Sequence, residues 1–354
     1  MKPFTIINSF YYPRNICPLP TVLMIEPADS CTLKCVMCDV QQQRKSNPHF
    51  ITPSQFEFII GQFPKIRELI FCGIGEPLLN KDILSMIGIA KGREIPFINL
   101  ITNGELLNTD FSDSLLKSGL DQLHISIPAT TEATFQVIRN NPRVSLSKLA
   151  ENVKYITQRK KRGSAKIKII INIVMLKYNL SELKDSISFC KDLGVDGICF
   201  AQLTTILGKK EDINIDRRGT SRLIDEIKKT GKEEGLGVTF LTGNDYGRCY
   251  QLWNFIMIHA DGNISPCNGI MPTENINLGN IFKDNISEIW LSEPYKELRQ
   301  KVRESSLKNC NFCESGYLIE GKNWRWWKNF YIRPLRNLIA KQLKRAKPSP
   351  SPLP

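Results

Sequence analysis

Between residues 20 and 203, short apolar segments alternate with longer amphipathic ones, and this alternation restricts the fold more than any other feature of the chain. Strands are expected at 22–26, 68–72, 97–102, 122–127, 166–176 and 197–203, most of them rich in Ile, Leu, Val or Phe. Strands buried on both faces of a parallel sheet read as such continuous apolar runs. Helices are expected between them at 53–62, 81–92, 111–118, 146–160 and 180–193. Six strand–helix repeats imply a parallel α/β sheet, either doubly wound or a partial barrel. In such sheets ligands collect beyond the C-terminal ends of the strands, so the loops that follow the strands are where the chemistry is expected.

Those loops carry the unusual residues. Asp29-Ser30-Cys31-Thr32-Leu33-Lys34-Cys35-Val36-Met37-Cys38 follows the first strand, and Gly73-Ile74-Gly75-Glu76-Pro77 follows the second. Thr102-Asn103-Gly104 ends the third, and Ser126 lies near the end of the fourth. The C-x3-C-x2-C spacing wraps one short loop around one metal centre. Cysteine thiolates are the usual ligands of iron–sulfur clusters, and three of them leave one iron of a cubane open to a further ligand. Zinc knuckles instead use paired C-x2-C units and four protein ligands.

The triplet, with Met37 just before its third cysteine, resembles the radical S-adenosylmethionine (radical SAM) superfamily. The resemblance implies a partial (β/α)6 TIM-like barrel, a six-stranded open version of the TIM barrel. It further implies a [4Fe-4S] cluster on Cys31, Cys35 and Cys38, whose open iron is chelated by the amino and carboxylate groups of S-adenosylmethionine (SAM). In that family an electron from the cluster cleaves SAM to methionine and a 5′-deoxyadenosyl radical. A flavodoxin- or ferredoxin-like protein is the implied electron donor. Gly73-Ile74-Gly75-Glu76-Pro77 resembles the family's G-x-GE-P loop, with Glu76 as the partner of the cofactor's amino group. Gly73 and Gly75 are expected to let the backbone approach a ligand. An ordinary βα turn with an exposed glutamate is the plainer reading. Thr102, Asn103 and Ser126 resemble positions that hold the cofactor's ribose and carboxylate. Ser126-Ile127-Pro128 replaces the family's frequent Ser-x-Asp. Arg139 matches an arginine that binds the cofactor carboxylate, or else lies on a solvated helix face. Met37, Gly73, Gly75, Glu76, Pro77, Thr102, Asn103, Ser126 and Arg139 are thus the implied cofactor contacts.

A second cysteine set, Cys249, Cys267, Cys310 and Cys313, would saturate a second cubane or a tetrahedral zinc. The residues around it resemble the auxiliary-cluster extension called SPASM in its shorter twitch form: Asp261-Gly262-Asn263-Ile264-Ser265-Pro266-Cys267, Leu278-Gly279-Asn280-Ile281 and Cys310-Asn311-Phe312-Cys313. No cysteine follows Cys313, so the resemblance implies one auxiliary [4Fe-4S] cluster. The spacing is most similar to that of 2-deoxy-scyllo-inosamine dehydrogenase, a radical SAM alcohol oxidase. A hairpin is expected from 255–259 to 264–266, since Asp-Gly is a strong turn signal, and a helix at 289–305. The expected organisation is an extension (1–20), the barrel (21–215), a linking region (216–248) with a helix near 220–232, the auxiliary domain (249–320) and a basic aromatic tail (321–354).

Four cysteines remain. Cys17, Cys190 and Cys199 fall in no motif, and free cysteine is commonly a small buried hydrophobe. Cys72 ends the second strand beside the cofactor loop, where it would serve as a hydrogen-atom donor or as packing. His49, His124 and His259 are dispersed and suggest neither a metal site nor a triad. Eleven cysteines in 354 residues, clustered in two sets, point to metal ligation in a reducing compartment rather than to a secreted disulfide scaffold. The longest apolar run, 167–176, is too short to span a bilayer, and a cytoplasmic protein is expected. The net charge of +13 is concentrated at the end of the chain, where nine Lys or Arg and no acid lie between Gly321 and Lys347. With Trp324, Trp326 and Trp327 beside them, these cations suit a membrane-surface element, or a helix docking on the barrel or an acidic partner. No nucleic-acid module is recognisable. The expected function is a radical SAM oxidoreductase acting on a small molecule or a peptide, by sugar or polyol dehydrogenation or by peptide modification. The alternatives are a radical SAM epimerase and a non-catalytic iron–sulfur or zinc-binding interaction module.

Overall fold

All six expected strands form. The computed structural model describes residues 17–38, 47–203, 215, 217–241, 251–267 and 278–303. Its first six strands are β1 (Val22–Ile25), β2 (Glu68–Phe71), β3 (Phe97–Thr102), β4 (Gln122–Ser126), β5 (Lys168–Met175) and β6 (Gly197–Gln202). Each pairs in parallel with the next. The register sets Ile25, Phe71, Leu100, Leu123 and Ile169 in one lateral row, and all five are fully buried. Burying a side chain of this size is worth about 1.5–3 kcal/mol. A one-residue slip of any strand would replace its member of the row with a residue from the other face, so the register is strongly specified.

The helices between them are α1 (Pro53–Gly61), α2 (Ile83–Gly92), α3 (Thr109–Lys117), α4 (Glu132–Arg139), α5 (Leu146–Gly163) and α6 (Ser186–Leu193). Thr52 opens α1 with a reciprocal cap: the Gln55 N–H donates to its hydroxyl at 3.2 Å, and its own N–H donates to Gln55 Oε1 at 3.0 Å. Asn108 accepts from the Phe111 N–H at 2.9 Å, so α3 starts two residues before the expected 111. The expected helix at 180–193 is shorter, because a 3-10 turn at Lys177–Glu182 precedes α6. Buried Asn179 holds that turn, donating to Pro128 O at 2.7 Å and to Val174 O at 2.8 Å. Helix α4, which closes on Arg139, was not among the expected helices.

The sheet extends past six strands at both edges. Residues 216–248 contain α7 (Arg217–Glu233) and β7 (Gly237–Leu241), and β7 pairs in parallel with β6. The segment read as a link thus contributes a further helix and strand to the sheet. At the other edge, α8 (Gln251–Asn254) leads into β8 (Phe255–Ile258), which lies parallel to β1. The expected hairpin forms when β9 (Ile264–Ser265) returns antiparallel to β8, with Gly262 at φ 85° in the turn. The single helix expected at 289–305 is instead α9 (Ile286–Leu291) and α10 (Glu293–Arg303). The break at Ser292 precedes Pro294, which has no N–H to continue a helix. The sheet is open, in the order β7-β6-β5-β4-β3-β2-β1-β8-β9, and forms a mixed α/β partial barrel. No helix among the described residues is long and apolar enough to cross a membrane.

Candidate active site

The loops after β1, β2 and β3 are tied together by Glu76. Its N–H donates to Ser30 O at 2.7 Å in the cysteine loop. Its carboxylate accepts from the Thr102 hydroxyl at 2.5 Å, the Asn103 N–H at 2.7 Å and the Leu78 N–H at 3.0 Å. Burial pushes this carboxyl above the usual range, while those donors and the nearby Arg139 pull it back. Glu76 is therefore not the exposed glutamate of an ordinary turn: it is only 2% exposed. Two of these bonds fall on Oε1 and one on Oε2, so the carboxylate ties the three loops together.

Gly73 and Gly75 were expected to admit a ligand, but what approaches them is the chain itself. A Cβ at Gly75 would lie 2.0 Å from Ala28 O and 2.7 Å from Ser30 N, and one at Gly73 would lie 2.4 Å from Glu26 Cγ. Gly75→Ala should therefore force the two loops apart and destabilise the fold by about 1–3 kcal/mol. Gly88→Ala in α2, where no atom lies within 4 Å of the added carbon, should be neutral or stabilise by up to about 1 kcal/mol. Thermal melts of the two variants should move in opposite directions, and equal shifts would contradict this packing.

Arg139 lies in the same place. It is buried at 3% exposure, so the solvated-face reading does not hold. One guanidinium nitrogen donates to Cys35 Sγ at 3.6 Å, and the other donates to Asn103 O at 3.3 Å and to Ser126 O. Asn103 Nδ2 donates to Cys31 Sγ at 3.6 Å. Burial, with help from Glu76 and Cys35, pushes the Cys31 thiol up to about 11, so a metal ligating it must displace a proton at neutral pH. Met37 and Cys38 are partly buried against the hydrophobic core, and Pro77 begins a buried 3-10 turn after Glu76.

The residues fit an iron–sulfur cluster carrying a polar ligand. Two of the three thiols already receive N–H donors, the kind of contact that tunes such clusters. Arg139 Nε is buried without a partner among the described residues, which leaves a cationic donor for an incoming carboxylate. A cavity of about 390 Å³, lined in part by Cys31, Asp29, Glu105 and Arg143, opens beside the loop. Among the described residues no three His, Cys, Asp or Glu groups lie close enough to share a single metal ion. A cubane makes a different demand, since each thiolate there holds a different iron.

Of the second cysteine set, only Cys267 is described, and it is buried just past β9. Cys249, Cys310 and Cys313 lie outside the described residues, as does the basic tail. The Tyr295 hydroxyl is fully buried and has no hydrogen-bond partner among the described residues, and the Cys267 and Cys17 thiols help burial to push it up. An orphaned donor there suits an acceptor such as a cluster sulfur. Cys190 and Cys199 are buried hydrophobes, as expected.

Sequence reasoning missed Glu26 and His259. Glu26 follows β1 and is 1% exposed. Its carboxylate accepts from the N–H groups of Ile74 at 2.5 Å and Gly75 at 3.1 Å, and pairs with His259 Nδ1 at 3.1 Å. An acid directly after an apolar strand was the available signal.

Residues 25–190 match the radical SAM superfamily, and residues 249–314 match SPASM, an iron-sulfur cluster-binding domain. The chain thus carries a radical SAM domain followed by a SPASM domain. The cofactors that go with these domains are SAM and a [4Fe-4S] cluster for the first and an auxiliary iron–sulfur cluster for the second. Among curated relatives, a protein of Methanocaldococcus jannaschii named "Probable GTP 3',8-cyclase" is 24% identical over 69% of this chain and 84% of its own length. The PqqA peptide cyclase of Gluconobacter oxydans is 22% identical over 78% of this chain and 77% of its own. Among solved structures, Streptococcus suis SuiB bound to the precursor peptide SuiA aligns with a TM-score of 0.69 at 19% identity. That alignment covers 86% of this chain and 73% of SuiB, and it shows a shared fold.

Proposed function

We propose that this radical SAM protein is an oxidoreductase that removes a hydrogen atom from an organic substrate, with a peptide as the first substrate class. The observation that carries the reading is the meeting of the cysteine loop, Glu76, Asn103 and Arg139 beyond the C-terminal ends of β1 to β4. When bound, these groups would supply a 5′-deoxyadenosyl radical to take one hydrogen atom and an auxiliary acceptor for the second electron, and with a proton released to solvent the substrate would end two electrons poorer.

Each residue has a role in this scheme. Cys31, Cys35 and Cys38 hold the cluster, and Asn103 and Arg139 steady two of their sulfurs. Glu76 pins the loops, so that the backbone from Gly73 to Pro77 meets the cofactor's amino group. Arg139 Nε meets its carboxylate, and Thr102, Asn103 and Ser126 frame its ribose. Cys249, Cys267, Cys310 and Cys313 hold the auxiliary cluster. A flavodoxin- or ferredoxin-like protein supplies the starting electron. The peptide class is supported by the PqqA peptide cyclase among the relatives. A sugar or polyol is supported by the cysteine set ending at Cys313, as in the short twitch form.

Anaerobic reconstitution, reduction and addition of SAM test the reading. Formation of 5′-deoxyadenosine is expected, and a fully loaded chain that makes none with candidate peptides and polyols present would return it to an iron–sulfur interaction module. Cys72 separates oxidation from epimerisation. Burial, with Glu26 and Glu76 adding to it, pushes its thiol up to about 12, so it stays protonated and could give up a hydrogen atom. An oxidoreductase does not need that atom. Cys72→Ala should retain product formation to within about threefold, whereas loss of product with cleavage of SAM intact would mark an epimerase.

A further inference from the structure

We propose that Glu26 and His259 form a buried positioning link through which the hairpin ahead of Cys267 sets the shape of the loop at 73–77. The inference rests on the reading that this loop binds SAM. One carboxylate oxygen of Glu26 receives the Ile74 and Gly75 N–H groups, at 2.5 and 3.1 Å. The other receives the Ala260 N–H at 3.3 Å and lies 3.1 Å from His259 Nδ1. On its far side, His259 Nε2 lies 2.8 Å from the Ser265 hydroxyl, two residues before Cys267.

The whole chain of contacts is buried. Glu26 is 1% exposed, His259 5% and Ser265 0%. A buried carboxylate is costly unless its lone pairs are satisfied, and here the satisfying donors come from two separate loops. The backbone reinforces the arrangement, since the Glu26 N–H donates to Ile258 O at 2.9 Å and so joins the end of β1 to the end of β8. Gly73 completes it: the space where its side chain would stand is filled by Glu26 Cβ, Cγ and Oε1. The loop therefore cannot move independently of Glu26, and Glu26 cannot move independently of the hairpin.

A loop held in its binding shape spends less of its time in incompetent shapes, and apparent affinity scales with the competent fraction. Cutting the link should thus weaken SAM binding more than it slows turnover of bound SAM. The imidazole allows a selective cut, because an Asn amide can stand in for Nδ1 and a Gln amide for Nε2. His259→Gln keeps the Ser265 contact and loses Glu26, so KM for SAM should rise about tenfold with kcat little changed. His259→Asn keeps the Glu26 contact, so its KM should stay within about threefold of the wild type. SAM titrations of the reduced protein followed by electron paramagnetic resonance should show the same displacement for His259→Gln. Iron content and thermal melts of each variant check that cluster and fold are retained.

Equal KM values for His259→Gln and the wild type would overturn the link. So would His259→Asn binding as weakly as His259→Gln, which would place the role on Ser265 or on packing alone. A wild-type chain that bound no SAM would overturn the functional reading and the link with it, an outcome distinct from variants that all bind alike.

Discussion

Changing Cys35 to Ala should reduce 5′-deoxyadenosine formation by about a thousandfold or more, to background. Cys35 is buried, and the Arg139 guanidinium donates to its sulfur at 3.6 Å. Three thiolates are the minimum set that leaves one iron open. With two, the cluster is lost or its open iron is no longer defined, and either outcome ends SAM chelation. Cys190→Ala is the matching control. That thiol is fully buried in α6 and belongs to neither cysteine set, so its loss should cost about 1 kcal/mol of stability and leave SAM cleavage in place. Product analysis of both reconstituted variants gives the contrast. Appreciable cleavage by Cys35→Ala would mean that the cluster is held by other residues, and the assignment of the triplet would fall.

The barrel was legible because its strands are local signals. A run such as Lys168–Met175 declares itself without knowledge of its neighbours, and the loops after β1 to β4 were expected to share one end of the sheet because parallel strands share a direction. The edges of the sheet were not legible. β7 joins β6, and β8 joins β1 across more than two hundred residues, a pairing that leaves no period in the sequence. The same limit explains the glycines. Gly73 and Gly75 read as openings for a ligand, whereas Glu26, Ala28 and Ser30 fill the space beside them.

Within the site, residue types were easier to read than their partners. The cysteine triplet, Glu76, Asn103 and Arg139 could all be named from motifs. That Glu76 spends its carboxylate on Thr102, Asn103 and Leu78 follows from three-dimensional closure alone. Arg139 was expected in a helical region, but the range of α4 was not given, because its eight residues are few and mostly polar at the start. Its ending at Arg139 is nevertheless what brings the guanidinium to Cys35. Glu26 and His259 were passed over for a different reason: each is unremarkable alone, and only the fold makes them a pair.

Replacing Cys31, Cys35 and Cys38 together with Ala should halve the iron of the reconstituted chain, from about eight per molecule to about four. The reason is that the hairpin before Cys267 closes through contacts of its own. The hairpin before Cys267 is held by the Met257–Ser265 and Ile258–Ile264 pairs and by the Ile281 N–H donating to Gly262 O at 2.8 Å. None of these contacts involves the triplet. The triple variant should keep the absorption of an iron–sulfur protein while losing all cleavage of SAM. Cys267→Ala should do the opposite, cleaving SAM in the absence of substrate while failing to complete a two-electron oxidation. Iron and zinc analysis of the triple variant is the decisive measurement. Zinc in place of the remaining iron would leave the barrel's chemistry standing but remove the second electron acceptor, and with it the case for an oxidation over a redox-neutral reaction.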